Sequence, residues 1–150
     1  MLLNGSKPGY SSAEAAAEAY IKAWYTKDVE MTVDCSPDFL VRTLAARYGL
    51  DKTASRDEVI REIKKTESLS GSTSKKVMIL SSQISKRGTT KDYSIFRTAN
   101  GYFTYLTDDE LSRIKEVVTV NITYSVDGNA RKSSVICIKM DGHWYVADVD

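Results

Sequence analysis

The fold of this chain is decided by residues 117–149, which read VVTVNITYSVDGNARKSSVICIKMDGHWYVADV. Apolar residues at positions 118, 120, 122, 124 and 126 alternate with polar ones, and a period of two is typical of a strand with one buried face. Asp127-Gly128 and Asp141-Gly142 interrupt the alternation, and Asp-Gly between such runs indicates a tight hairpin turn. The stretch therefore predicts a three-stranded antiparallel meander.

The N-terminal half has the period of helices instead. Ser11-Ser12-Ala13-Glu14 and Ser55-Arg56-Asp57-Glu58 have the pattern of capping boxes, in which a hydroxyl and a carboxylate satisfy the amides of the first turn. Pro37 is expected at the first helical position behind a Ser36 cap, and Gly49 supplies a left-handed stop. The first helix carries an apolar stripe that runs from small to large residues: Ala13, Ala16, Ala17, Tyr20, Ile21 and Trp24.

The middle of the chain is less regular. Residues 70–74 are too polar to pack and predict a loop. Residues 77–84 predict a strand that is apolar on both sides. Residues 89–107 allow either two short strands joined by a turn at Asn100-Gly101 or one strand and an irregular segment. Thr107-Asp108-Asp109-Glu110 predicts another helix start.

Helices at the beginning and a meander at the end predict an α+β fold, because a parallel sheet would need strands and helices in alternation. The economical packing places the first helix across the concave face of a curved antiparallel sheet. We expect one domain at residues 12–150. Residues 1–11 contain Gly, Ser, Lys and Pro without the apolar core of a signal peptide. They are expected to be a tether or a remnant outside the domain, left after removal of a leader.

Composition excludes several classes of protein. The chain has 150 residues, of which 42% are hydrophobic and 27% charged, enough to bury a core without disulfide bonds. Its net charge of +1 provides no long-range field for nucleic acid or an anionic membrane. No run of about 18 apolar residues could span a bilayer. A predicted strand is flanked by five basic residues: Lys75, Lys76, Lys86, Arg87 and Lys91. They are expected to keep a sheet edge soluble, with contact to an anion or a partner as the alternative.

Few residues could support catalysis or bind a metal. His143 is the only histidine, so every Ser-His or Cys-His scheme would need it, and it is expected to be a surface turn residue. Cys35 and Cys137 lack the spacing of metal ligands, so no metal is expected. They are expected to be buried as small hydrophobic residues, with a long-range disulfide as the alternative. No glycine-rich phosphate loop or dinucleotide fingerprint is present, so no cofactor is expected.

Most carboxylates belong to helix caps or turns, which leaves two candidates for a general base. Asp34 follows the first helix near its aromatic end, and Asp148 lies in the last predicted strand. A carboxylate in an apolar cavity would have the raised pKa that acid/base chemistry near neutral pH needs. No residue is assigned a catalytic role on this basis.

The aromatic residues are the stronger signal for a binding site. Nine tyrosines and two tryptophans combine apolar bodies with polar tips, which suits cavity linings and interfaces as well as the core. Arg42 could reach such a pocket as an anion anchor or extend into solvent. Six residues are candidates for the binding surface: Tyr20, Trp24, Tyr48, Tyr105, Tyr124 and Trp144.

The layout also resembles a known fold family. An opening helix with Ala16-Ala17-Glu18-Ala19-Tyr20 and Trp24, two short helices and then long strands is similar to nuclear transport factor 2-like (cystatin-like) domains. The ending, from Ile138 through Asp141-Gly142-His143-Trp144 to Val146, resembles the close of small extracytoplasmic lipoprotein domains of Gram-positive bacteria. The resemblance implies a cone-shaped domain with a cavity between the first helix and the sheet. Some members of the family are isomerases or hydratases with an Asp or His in that cavity, and others bind ligands or proteins or dimerise through the sheet.

These observations favour a non-catalytic binding or interaction domain in the cell envelope, outside the membrane. Its partner would be a protein or a small apolar molecule, bound at an aromatic-lined pocket between the first helix and the sheet. One alternative is a small isomerase or hydratase with Asp34 or Asp148 as its base. The other is a module that forms a homodimer through its sheet.

Overall fold

The computed structural model describes residues 8–70, 73–97 and 103–150, with the backbone alone at 68–70. Two 3-10 turns, at Thr90–Asp92 and Ser94–Phe96, follow the first strand. The helices and strands are α1 Ala13–Thr26, α2 Val29–Asp34, α3 Asp38–Arg47, α4 Arg56–Ser70, β1 Val77–Gly88, α5 Asp108–Arg113, β2 Ile114–Val126, β3 Asn129–Met140 and β4 His143–Val149. The predicted α+β class, with N-terminal helices against an antiparallel sheet, is confirmed.

The sheet has four strands in the order β1-β2-β3-β4, and every neighbouring pair is antiparallel. Both predicted hairpin turns are present. Asp127 and Gly128 have φ of 49° and 86°, and Asp141 and Gly142 have φ of 54° and 81°. Two successive residues with positive φ match the twist of a tight hairpin, which explains why Asp-Gly identified these turns correctly.

Helix α1 lies across one face of the sheet and contacts all four strands. Ala13, Ala16 and Ala17 at its beginning are buried and allow the helix backbone to approach the strands closely. The thiol of Cys137 in β3 donates to the Ala13 carbonyl at 3.5 Å, and the thiol of Cys35 donates to the Ala16 carbonyl at 3.8 Å. The main core contains Ala13, Ala16, Ala17, Ile21, Val118, Val120, Ile122, Val135 and Val146.

The two cysteines are free and buried, as expected for small hydrophobic residues. The backbone amide of Val146 donates to the Cys35 carbonyl at 2.7 Å, and Val146 is itself the register partner of Cys137. Strand β4 therefore lies between the two cysteines. The two cysteines are thus separated by two strand spacings, about 10 Å. A disulfide can bridge Cα atoms only up to roughly 7 Å apart, so this arrangement does not allow one.

The helix starts were predicted with mixed success. The reciprocal capping boxes at Ser55 and Glu58 and at Thr107 and Glu110 are confirmed. Helix α1 begins one residue later than the predicted box, because the Ser12 hydroxyl accepts the first-turn amide of Ala15 at 3.1 Å.

At the start of α3, the predicted Ser36 cap was wrong. Pro37 is the capping position and makes no side-chain cap bond. The Ser36 hydroxyl instead donates to the Thr32 carbonyl at 3.0 Å, so it closes the end of α2, a short helix that the sequence pattern did not predict.

The segment 89–107 contains no strand in its described part, so both expected arrangements, two strands or one strand with an irregular segment, were wrong there. Its aromatic residues serve as side-chain cover for the second face of the sheet. Tyr93 and Phe103 are buried against Val117 and Tyr145 in a second core cluster. Residues 98–102, with the predicted Asn100-Gly101 turn, lie outside the described residues.

Candidate functional site

Trp24 is the most exposed large aromatic side chain in the described part of the chain. It lies in the last turns of α1 with 57% of its surface accessible, whereas Ala16, Ala17 and Ala23 on the same helix are fully buried. The narrow alanine stripe faces the sheet, and the bulk of the indole lies beside it, outside the core. A large exposed aromatic residue is less common on protein surfaces than a buried one, so its surroundings are informative.

Three hollows surround the indole. One, of about 210 Å³, lies between the end of α1 and helices α2, α3 and α4, and its lining includes Trp24, Leu44 and Tyr48. The second, of about 280 Å³, lies between α1, α3 and the end of β4. The third, of about 330 Å³, lies between α1 and the strands β2, β3 and β4. Trp24 lines all three, and Tyr20 lines the second and the third, so the hollows form one groove system around the end of α1.

The second hollow combines apolar walls with a few polar groups. Its lining includes the residues Thr32, Ser36 and Thr43. The hydroxyl of each donates its proton to a helix carbonyl, at 2.9, 3.0 and 3.1 Å respectively. Their oxygen lone pairs are thus left as acceptors, while Arg47 offers donors. An apolar pocket with a few fixed polar groups is the usual design of a ligand site.

The structure brings four of the six predicted binding residues to this end of the domain. Tyr20, Trp24 and Tyr124 line the third hollow, and Tyr48 lines the first. Tyr124 is held by a ring contact with Tyr25, at 5.9 Å between centroids, and its hydroxyl is 2.8 Å from the Ser133 hydroxyl. Burial raises the pKa of both Tyr20 and Tyr124, so both are neutral hydrogen-bonding groups at physiological pH.

Trp144 and Tyr105 lie elsewhere. Trp144 is 8% exposed and forms an isolated antiparallel bridge with Tyr10, in the main core near the start of α1. Tyr105 packs at the second core cluster, and its carbonyl accepts from Arg42 at 2.8 Å. Arg42 also forms an ion pair with buried Glu110, so it serves neither of its two predicted roles.

Sequence reasoning missed the helical wall of the groove. Thr32 comes from α2, which has only six residues and is too short for a helical period to show. Leu44 and Arg47 belong to α3, where Leu44 was expected only as part of a buried face.

The two candidate general bases are in different environments. Asp34 does not line any hollow around Trp24. One of its carboxylate oxygens is buried without a hydrogen-bond partner among the described residues, and burial raises its pKa although the Arg56 guanidinium opposes the shift. Asp148 lines the second hollow together with Tyr20.

The remaining predictions on chemistry concern His143 and metals. His143 is exposed, as expected, but it is the first residue of β4, directly after the Asp141-Gly142 turn, with its Nδ1 3.1 Å from the Asp141 carbonyl oxygen. Within the described ranges, no three His, Cys, Asp or Glu side chains are grouped so that they could hold a metal ion. No helix in those same ranges is long and apolar enough to span a bilayer.

Comparisons of the chain with protein-family models, with curated proteins and with solved structures found no match.

Proposed function

We propose that this chain is a non-catalytic binding domain of nuclear transport factor 2-like fold, and that its site is the groove system around Trp24. The observation that carries the proposal is the 57% exposure of this indole at the junction of three hollows. Tryptophan is enriched among the residues that dominate binding energy. Covering the exposed half of an indole would contribute about 2–3 kcal/mol, since a tryptophan buries about 150–250 Å² at roughly 25 cal/mol per Å².

The proposed ligand is a small apolar molecule, or an apolar side chain of a partner protein, that stacks on Trp24. Leu44 and Val149 would contact its apolar body. Hydrogen-bond donors on the ligand would reach the lone pairs of Thr32 and Thr43, whose own protons are already donated to helix carbonyls. No charged group is required of the ligand.

The test is a fragment screen by saturation-transfer NMR on the parent protein and on Trp24→Ala. Leu80→Ala is the matched control, because Leu80 is 55% exposed but lies in β1, outside the linings of the three hollows. We expect aromatic fragments to bind the parent and the control and to lose most of their signal with Trp24→Ala. Hits that bind all three proteins equally would refute the assignment of the site.

A second candidate function is favoured by one observation, the presence of Asp148 and Tyr20 on the wall of the same hollow. A carboxylate base and a phenol donor in an apolar site are the groups that a small isomerase or hydratase needs. Fragment hits with an enolisable or hydratable group should then be converted over hours, as followed by NMR. Conversion that persists in Asp148→Asn would exclude Asp148 as the base.

The proposed compartment is the outer side of a Gram-positive cell membrane. It is supported by the similarity of the ending, Ile138 to Val146, to extracytoplasmic lipoprotein domains. Protease treatment of intact cells that make the protein tests this. Digestion supports the proposal, and full protection until lysis contradicts it.

A further inference from the structure

Strand β1 has one side that is not paired within the described structure. It forms one edge of the sheet and pairs with β2 on its inner side. Among the described residues, positions 77–88 make no other backbone–backbone hydrogen bond, although the Lys86 carbonyl accepts from the Tyr93 hydroxyl at 3.4 Å. The edge is 12 residues long, which is long for a strand left open at a sheet edge.

The beginning of this edge exposes apolar side chains. Val77 and Ile79 pack against the main core on the α1 side of the sheet. Met78 and Leu80 point to the opposite face and are 54% and 55% exposed. Together they form an apolar strip directly beside the unpaired backbone groups.

Positive charge surrounds this strip. Between Lys75 and Lys91 the sequence contains five basic residues and no acidic residue. Within the described chain, no carboxylate forms an ion pair with Lys75, Lys76, Arg87 or Lys91.

Three carboxylates accept hydrogen bonds at this edge, and one of them, Glu18 of α1, accepts from the Ser82 hydroxyl of β1 at 2.6 Å. Asp92 accepts from the Thr89 amide at 2.8 Å, and Asp127 accepts from the Lys76 amide at 2.9 Å. Five basic residues against these three carboxylates leave the edge with a net positive charge.

One explanation of lysines on an edge strand, and of bulges such as those at Leu80 and Ser85, is that they prevent aggregation and have no other role. That role does not explain an exposed apolar strip between the charges, because such a strip promotes aggregation. A second copy of the chain would place this positive charge against the same charge, which is unfavourable.

We propose that the β1 edge binds an extended segment of another protein, with apolar residues at its centre and Asp or Glu at both ends. The segment would add as a fifth strand through main-chain hydrogen bonds, with Met78 and Leu80 contacting its apolar residues. The acidic ends would lie near Lys75 and Lys76 at one end and Lys86 and Arg87 at the other. This surface is separate from the Trp24 groove and goes beyond the function proposed for it.

The probe is a synthetic peptide of about twelve residues, with alternating Val and Thr at its centre and two acidic residues at each end. One control peptide has Lys at both ends, and the other keeps the acidic ends but carries N-methyl groups on alternate residues. Binding is measured by fluorescence anisotropy, and its location by amide hydrogen exchange.

We expect the acidic peptide to bind about tenfold or more tightly than the Lys-ended one, since the charges at an interface select the partner. Its affinity should fall when salt rises from about 0.1 M to about 1 M, because the Debye length shortens from about 10 Å to about 3 Å. N-methylation should abolish binding, and new exchange protection should lie within residues 77–84.

Charge-reversal variants make the test specific. Lys86→Glu combined with Arg87→Glu should weaken the acidic peptide and strengthen the Lys-ended one. Lys52→Glu combined with Arg61→Glu makes the same change in net charge among the helices and should leave both affinities unchanged.

Equal binding of the acidic and Lys-ended peptides would overturn the proposal, and so would protection at the Trp24 groove instead of β1. A dimer of the chain alone that protects residues 77–88 would replace it with self-association. Because Trp24→Ala leaves β1 intact, failure here is distinguishable from failure of the groove proposal.

Discussion

Removal of the Glu110 carboxylate is expected to destabilise the domain strongly. Glu110 is 5% exposed, forms an ion pair with Arg42, and accepts hydrogen bonds from the amide and hydroxyl of Thr107. Breaking a buried pair by removing one partner costs about 3–5 kcal/mol. The Arg42 side chain is 26% exposed, so water compensates part of this loss and about 2 kcal/mol is expected from the pair. The lost capping box adds about 1 kcal/mol.

We therefore expect Glu110→Ala to lower the free energy of unfolding by about 3 kcal/mol, which corresponds to a fall in Tm of about 6–12 °C for a domain of this size. Urea denaturation followed by circular dichroism measures the change. Glu110→Gln is the control, because glutamine retains the cap and a hydrogen-bond acceptor for Arg42 and removes only the charge. It should cost about 1–2 kcal/mol. A change below about 1 kcal/mol for Glu110→Ala, or equal costs for both variants, would refute this reasoning.

Three further predictions concern the backbone, pH and the thiols. In urea denaturation, Gly9→Ala should lower the stability of the domain more than Gly49→Ala. Both glycines have positive φ, but a Cβ at Gly9 would lie 2.6 Å from the His143 Cβ, whereas a Cβ at Gly49 would meet nothing within 4 Å. The φ cost alone is about 1 kcal/mol, so equal losses would contradict the close approach. Asp34→Asn should stabilise the domain at pH 7. Burial raises the pKa of Asp34 in the folded state, so the parent loses stability as pH rises from the unfolded pKa of about 3.9 through the folded pKa. The advantage should vanish at about pH 3, where both states bind the proton, and a pH-independent difference would contradict the cause. Cys35, with a pKa raised to about 12 by burial, and Cys137, whose pKa burial also raises, should react with a thiol reagent only after unfolding; fast reaction of the native protein would show that the core is open.

The sequence was most informative where local chemistry alone decides the structure. An Asp-Gly pair fixes a hairpin turn within two residues, and strands with one buried face repeat every second residue. Strands β2, β3 and β4 could be predicted for these reasons. The Thr107 box was equally local, because both capping partners lie within four residues.

Features that depend on distant contacts could not be predicted in the same way. The aromatic residues of segment 89–97 have high strand propensity, but they cover the sheet face and leave the backbone in 3-10 turns. Helix α2 owes its position to packing against α1 and α4, and its six residues are too few to show a period.

The candidate site shows the same division. The spacing of Tyr20 and Trp24 placed both on one helix, but only the packed structure shows that Trp24 is exposed while Trp144 is buried. Aromatic content cannot separate these two environments, because both are compatible with an apolar body and a polar tip.

The two tryptophans provide the most direct test of the central claim, that Trp24 is the binding residue of this domain. In a ¹H–¹⁵N spectrum their indole groups give two separate signals, which Trp24→Phe and Trp144→Phe assign. During titration with the aromatic fragments that bind, we predict that the Trp24 indole signal shifts in a saturable way. The Trp144 signal, from a side chain that is 8% exposed at the opposite end of α1, should stay unchanged. Saturable binding that leaves the Trp24 signal in place would contradict the account.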